Sequence, residues 1–290
     1  DNSFNSGDKI RFYLGHTPYQ EHFYNVAILT TVNFSQNPAL RISTLDGDPT
    51  GHDPSNKLTE IGEDAVPYII ASLKNDSYNA TGSKSFNARW NKVNVLGRIG
   101  NNKAEDVLIE RILIDEETHV RWRSIWALNI VKNENAKNKL IEALKNENEK
   151  IKWRAAVALG SFKNDSGKEI LLEGLNSNDS WFRWEAVYVL GILEDPSTAK
   201  EISKMLNDNS IRVRQEAALT LGKIGNNDSI PYLIEALEDE SAGVRWRAAS
   251  SLAKLGGKSI IPTIEKALEK EKDEDAYFYI NKSLEKLKGR

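Results

Sequence analysis

The sequence predicts an all-α protein, an array of about six to seven stacked helix pairs behind a small irregular N-terminal segment. Three observations predict it. The phrase Val244-Arg245-Trp246-Arg247-Ala248-Ala249 returns as Val213-Arg214-Gln215-Glu216-Ala217-Ala218, Phe182-Arg183-Trp184-Glu185-Ala186-Val187, Ile151-Lys152-Trp153-Arg154-Ala155-Ala156 and Val120-Arg121-Trp122-Arg123-Ser124-Ile125, each time at a step of 31 residues. One further step, of 32, reaches Ala88-Arg89-Trp90-Asn91. Leucine recurs at the same interval, at 113, 144, 175, 206, 237 and 268. Between these marks the apolar residues keep helical spacing, as at 230, 233, 234 and 237, with Pro231 suited to a first turn and Gly256-Gly257 to a stop. A fixed period of this length marks units that bury their apolar faces against their neighbours.

Composition narrows what such an array does. The net charge of -3 argues against a dedicated nucleic-acid binder, for which a strongly basic domain is expected. The absence of Cys excludes disulfides, thiolate metal sites and a Cys nucleophile together. No run of 18 apolar residues exists, so no membrane span is expected. The non-Met start at Asp1 and the Asn-x-Ser/Thr sequons at Asn33, Asn75, Asn79, Asn164, Asn178, Asn227 and Asn281 tilt the expectation towards an extracytoplasmic protein.

Residues 1–57 lie outside the repeat and are expected to form a linker and capping segment. Asp1 to Asp8 is a polar lead; Pro18 to Val32 reads as a helix and Ala39 to Leu45 as extended chain after Pro38. Next, Asp46, Asp48, Thr50 and Asp53, with Gly51 and His52, partly match a calcium loop, in which alternate oxygens turn towards one cation. Position twelve is Lys57 instead of a bidentate Glu, and Pro54 interrupts the loop, so a Gly/Pro/Asp turn without metal is the expectation. Leu58-Thr59-Glu60-Ile61-Gly62 echoes Leu221-Gly222-Lys223-Ile224-Gly225, the tail of a later unit. Units are then expected near 58–100, 101–133, 134–164, 165–195, 196–226 and 227–257, with a C-terminal cap over 258–290. The first carries an eight-residue insertion within Lys74–Asn87. The cap replaces the repeat phrase with Tyr277-Phe278-Tyr279-Ile280.

Helix pairs of about 31 residues carrying Val-Arg-x-x-Ala-Ala-x-x-Leu and an Ile-Gly ending resemble short HEAT repeats, of the type named after the phycobilisome (bilin) lyases. The resemblance covers residues 58–290. It implies a right-handed, armadillo-like α-solenoid whose second helices line a concave face. It further implies a protein-binding scaffold, since enzymes are few in that family.

The cation column Arg89, Arg121, Lys152, Arg183, Arg214 and Arg245 reads as structural. Six residues before several of these cations stands an acid or amide of the inter-helix turn, Asp115, Asn146, Asp208 or Asp239. A guanidinium fork can bind such side chains, and orphan turn carbonyls, in its own or an adjacent unit. One residue further lies a Trp column, Trp90, Trp122, Trp153, Trp184 and Trp246, interrupted by Gln215. Trp126, Trp181 and Tyr188 add aromatic area to it, and Arg123, Arg154, Arg247, Glu185 and Glu216 line its edge. Packing of each indole on the neighbouring helix, with a cation stacked on its face, is one reading of this stripe. The other is a groove for a protein or peptide, since Trp, Tyr and Arg anchor interfaces.

The function expected from the sequence is therefore a non-enzymatic, monomeric scaffold with a protein or peptide partner and no cofactor. A polysaccharide-binding surface is the alternative, and a HEAT-type enzyme akin to a bilin lyase or an alkylpurine DNA glycosylase the second. Nucleic acid is disfavoured as a partner by the acidic balance. Loss of capture without loss of fold is expected when Trp153 and Trp184 become Ala. His119, two residues before Arg121, reads as a rim residue.

Overall fold

A computed structural model describes residues 55–76, 83–131 and 134–289. The calcium-like stretch Asp46–Asp53, nearly all of the N-terminal segment and the core of the Lys74–Asn87 insertion lie outside them. Every regular element among the described residues is helical. The chain divides between Ala136 and Lys137 into two compact units.

The N-terminal unit holds α1 (Ser55–Ile61), α2 (Val66–Asn75), α3 (Ser83–Ile99), α4 (Glu105–Ile114) and α5 (Thr118–Val131). The echo between Leu58–Gly62 and a later unit's tail has a structural basis. α1 packs on α3, Leu58 is fully buried, and Gly62 ends the helix in the left-handed conformation at φ +70°. α3 and α4 both pack on α5, and Val93, Leu96, Leu108, Ile112 and Val120 form the core.

α6 (Glu134–Ala143) begins at the division. The C-terminal unit then holds α7 (Glu149–Ser161), α8 (Lys168–Gly174), α9 (Ser180–Leu193), α10 (Ala199–Lys204), α11 (Ile211–Ile224), α12 (Ile230–Glu235), α13 (Ala242–Leu255), α14 (Ile261–Lys270) and α15 (Glu274–Lys288). Second helices pack on one another in sequence, α9 on α11, α11 on α13 and α13 on α15. The Ala-Ala…Leu part of the phrase makes that possible. Ala217, Ala218, Leu221, Ala248, Ala249 and Leu252 are fully buried, and each buried Leu contributes about 1.5–3 kcal/mol. Gly222 lets the helices close on each other, since a Cβ there would lie 2.9 Å from the Ser251 Cα.

First helices are shorter than the periodicity implied, because 3-10 turns flank them. In the unit around Pro231, the turn Asn227–Ser229 precedes α12 and Ala236–Glu238 follows it. The entry turns share a capping residue at the 31-residue step: Asn164, Asp195 and Asn226 each accept a backbone N–H two residues on, at 2.8–3.0 Å.

Candidate functional site

The Arg column forms a ladder through the inter-helix turns. Each rung uses one edge of the guanidinium for its own turn and the other for the turn that follows. Arg183, Arg214 and Arg245 donate from Nη1 to the backbone oxygens of Ser177, Asp208 and Asp239, six residues before them, at 2.7–2.9 Å. Their Nε and Nη2 grip the carboxylates of Asp208, Asp239 and Glu271, 25 or 26 residues ahead, at 2.6–3.1 Å. Residue n−6 thus supplies a carbonyl, and the acid comes from the next turn. Each of these carboxylates also accepts the N–H two residues on in its own turn, which ties the turn's shape to the rung.

In the N-terminal unit Arg89 grips Asp115 in the same bidentate way, with Arg111 on the same carboxylate at 3.2 Å. Arg121 donates to the backbone oxygens of Asp115 and Glu116. Lys152, expected from the sequence to be a rung like the others, departs from the column. It pairs with the exposed Glu149 at 2.6 Å and reaches no turn carbonyl. The residue 25 ahead of it is Ser177, whose hydroxyl accepts the Asp179 N–H but offers no charge.

Two rung acids, Asp208 and Glu271, resist protonation. Burial pushes the Asp208 carboxyl up, but hydrogen bonds from Arg183 and the Ser210 N–H, with the charges of Arg183 and Arg214, outweigh it and hold it below the usual range. The Arg245 hydrogen bonds, against burial, do the same for Glu271. Off the ladder, the Lys168 hydrogen bond and the Ser197 N–H lower Asp195 to about 2. A carboxyl depressed on folding stabilises the fold above its unfolded pKa, about 4, and that share is lost as pH falls through the folded value. The thermal midpoint is therefore expected to stay level from about pH 7 to 5 as far as these groups decide it, and to fall between about pH 4 and 2. Asp208→Asn should flatten part of that acid limb; a variant with an unchanged limb would separate the rung from acid stability.

The Trp column is not one feature. Trp153 is a packing residue: a Cβ on Gly174 would meet its ring, so the indole fills the space that this glycine leaves open. Its Nε1 donates to Glu185 at 2.8 Å, and Phe182 meets it edge-on at 5.4 Å between centroids. Glu185 and Arg154, expected at the groove edge, are instead buried, with 4% and 9% of their surface exposed. Glu185 is the acceptor of the Trp153 indole, and neither Glu185 nor Arg154 belongs to an open strip.

A row of half-buried aromatics is built elsewhere in the C-terminal unit. Trp181, Trp184 and Tyr188 stand at i, i+3 and i+7 on α9. Trp184 stacks on Tyr188 at 5.4 Å and 17°, and tilts against Trp181 at 5.0 Å. α11 lays cations over them: the Arg212 Cζ lies 4.1 Å from the Trp184 centroid and 4.7 Å from Trp181, and Lys223 Nζ lies 5.6 Å from Tyr188. Glu216 on the same helix is 3.6 Å from Lys223. Further along the stack, Trp246 carries Arg247 at 4.2 Å and stacks on Tyr279 at 4.8 Å. Burial lowers the Arg247 pKa, against the charge of Glu216. Gln215 is half-buried beside Gly243, where a Cβ would have no room. Phe278 remains 60% exposed.

The N-terminal unit repeats the device. Arg123 lies over both Trp90 and Trp126, at 4.4 and 4.7 Å, and burial lowers its pKa. Trp122 is half-buried and His119 exposed on the same helix. Sequence reading missed Arg212, Lys223, Phe182 and Tyr279. Arg212 was within reach of it, since it stands 31 residues after Trp181 and so occupies an aromatic's column with a cation.

Paired helices repeated at a constant step, bound rung to rung by Arg and acid, define an all-α helical-repeat protein. The HEAT-repeat family model matches residues 78–148, 138–210 and 199–277. The chain belongs to that family. Among solved structures, the YibA protein of Escherichia coli is 19% identical with a TM-score of 0.53, over 88% of this chain and 93% of that one. The CpcE–CpcF complex of phycocyanin lyase from a Nostoc species is 19% identical with a TM-score of 0.43, over 93% and 100%. Human deoxyhypusine hydroxylase is 16% identical with a TM-score of 0.38, over 88% and 98%. These likenesses concern the fold alone. No curated protein sequence matches the chain.

Proposed function

We propose that the chain is a binding scaffold, not an enzyme, and that the C-terminal unit captures a protein or peptide segment on the face formed by α9, α11, α13 and α15. The observation behind this reading is the row Trp181–Trp184–Tyr188, joined by Trp246 and Tyr279, which exceeds what packing of the repeats requires. Rigid aromatics beside Arg bury large area at low entropic cost, the usual composition of interface anchors. A carbohydrate surface is less favoured, because sugar rings stack on open aromatic faces and Arg212 already lies over Trp181 and Trp184.

The test is selection from a displayed random dodecapeptide library on the immobilised full chain, repeated with Trp184→Ala. Peptides enriched on the parent and lost on the variant are expected, with the far-UV CD and thermal midpoint of the variant nearly unchanged. Peptides held equally by both proteins would move the site elsewhere. Retention on a polysaccharide matrix without any enriched peptide would replace this reading with the carbohydrate one.

A further inference from the structure

Resting on the peptide-binding reading, we infer that this face is selective for acidic segments: Arg212, held over Trp181 and Trp184, is a carboxylate-binding fork, and the partner offers Asp or Glu side chains to it. Among the described residues, the Arg212 guanidinium lies over the two indoles and has no hydrogen-bond acceptor or ion-pair partner. That is unusual in this chain. The column arginines two residues away in register spend their donors on turn carbonyls and carboxylates, as Arg214 does on Asp208, Asp239 and Glu240. Arg212 is exposed on the first turn of α11 and keeps its N–H edge for solvent.

Donors around it are also unspent. Neither the Trp181 nor the Trp184 indole N–H donates to a described residue. The face therefore presents donors with few acceptors, and the complementary chemistry is an acceptor-rich, negatively charged group. Glu216 is the acid facing this area from α11, and it stands beside Lys223 at 3.6 Å. Arg212 has no such carboxylate. A guanidinium held over aromatic rings is restrained before a ligand arrives, which lowers the entropic cost of carboxylate binding. Arg212 and Lys223 are separated by about 16 Å of helix, enough for a short extended peptide to meet both. Arg123 over Trp90 and Trp126 shows that the chain builds this clamp more than once.

The acidic-peptide source is favoured over nucleic acid because the chain as a whole carries a net charge of -3, which repels an extended polyanion far more than a segment with a few carboxylates. The experiment counts Asp and Glu in peptides selected on the full chain, then titrates the strongest binder and its Asn/Gln counterpart into the parent, Arg212→Gln and Arg212→Lys. Acidic enrichment is expected, with about ten- to hundredfold weaker binding for Arg212→Gln or for the amide peptide. Arg212→Lys should recover only part of the loss, since it keeps the charge and not the fork. Peptides enriched without acidic bias, or bound equally by Arg212→Gln, overturn this inference and leave peptide capture standing. No enrichment at all overturns both. Equal competition by inorganic phosphate at matched charge would show a general anion site and overturn the acidic-peptide assignment.

Discussion

Asp115→Ala is expected to remove about 3–5 kcal/mol of stability, the cost of breaking a buried ion pair from one side. Asp115, Arg89 and Arg111 are each fully buried. The Asp115 carboxylate accepts Arg89 Nε at 2.8 Å, Arg89 Nη2 at 3.1 Å, Arg111 Nη1 at 3.2 Å and the Glu117 N–H at 3.0 Å. Removing it leaves two guanidiniums without their shared anion in a dry environment. Against total stabilities of about 5–15 kcal/mol, the N-terminal unit would lose a large fraction of its margin. Asp239→Ala should cost less, because Arg214 is 8% exposed and also holds Glu240 and the Asp208 carbonyl. Urea unfolding of both variants checks the order. A loss below about 1 kcal/mol for Asp115→Ala would mean that solvent or other groups replace the anion.

The difference between these rungs explains how far the sequence could be read. The period, the helix pairs and the family follow from apolar spacing and the recurring phrase, since every unit must bury the same face on its neighbour. The cation column was legible as structural for the same reason. Its pairing was not: the acid lies 25 or 26 residues ahead, and only stacking brings Arg183 to Asp208. The gap at Lys152 was not read, because the column was taken as uniform and the acid was looked for at Asn146, six residues before, and not 25 residues ahead, where Ser177 offers no charge. The site was less legible. Trp153 and Trp184 occupy equivalent positions, and in their own helices only the aromatic neighbours Trp181 and Tyr188 of Trp184 set them apart. What gives them different roles is across the interface, Gly174 under the one and Arg212 over the other. Arg154 and Glu185 were misplaced for a related reason, since pattern alone does not tell a buried polar contact from an exposed edge.

Trp153→Ala is accordingly expected to destabilise more than Trp184→Ala, although both rings are half-buried. Truncating a buried aromatic costs about 3–5 kcal/mol. Trp153 is half-buried, so about 2–3 kcal/mol is expected from the emptied space against Gly174, the lost edge contact with Phe182 and the lost hydrogen bond to buried Glu185. Trp184 fills no glycine's space and makes no side-chain hydrogen bond, so it should cost about 1 kcal/mol, the scale of stacking and cation–π contacts. Gly174→Ala supplies an independent check, because its methyl collides with the Trp153 ring and has no reason to disturb Trp184. Thermal melts of the three variants, read with the peptide selection, place each tryptophan by a pair of outcomes. Trp153→Ala should lower the midpoint by several degrees, and any loss of capture should follow that of the fold. Trp184→Ala should lose capture at a nearly constant midpoint. If both variants lost capture at constant stability, the stripe would act as one groove, as the sequence alone implied, and the packing of Trp153 on Gly174 would be incidental to it.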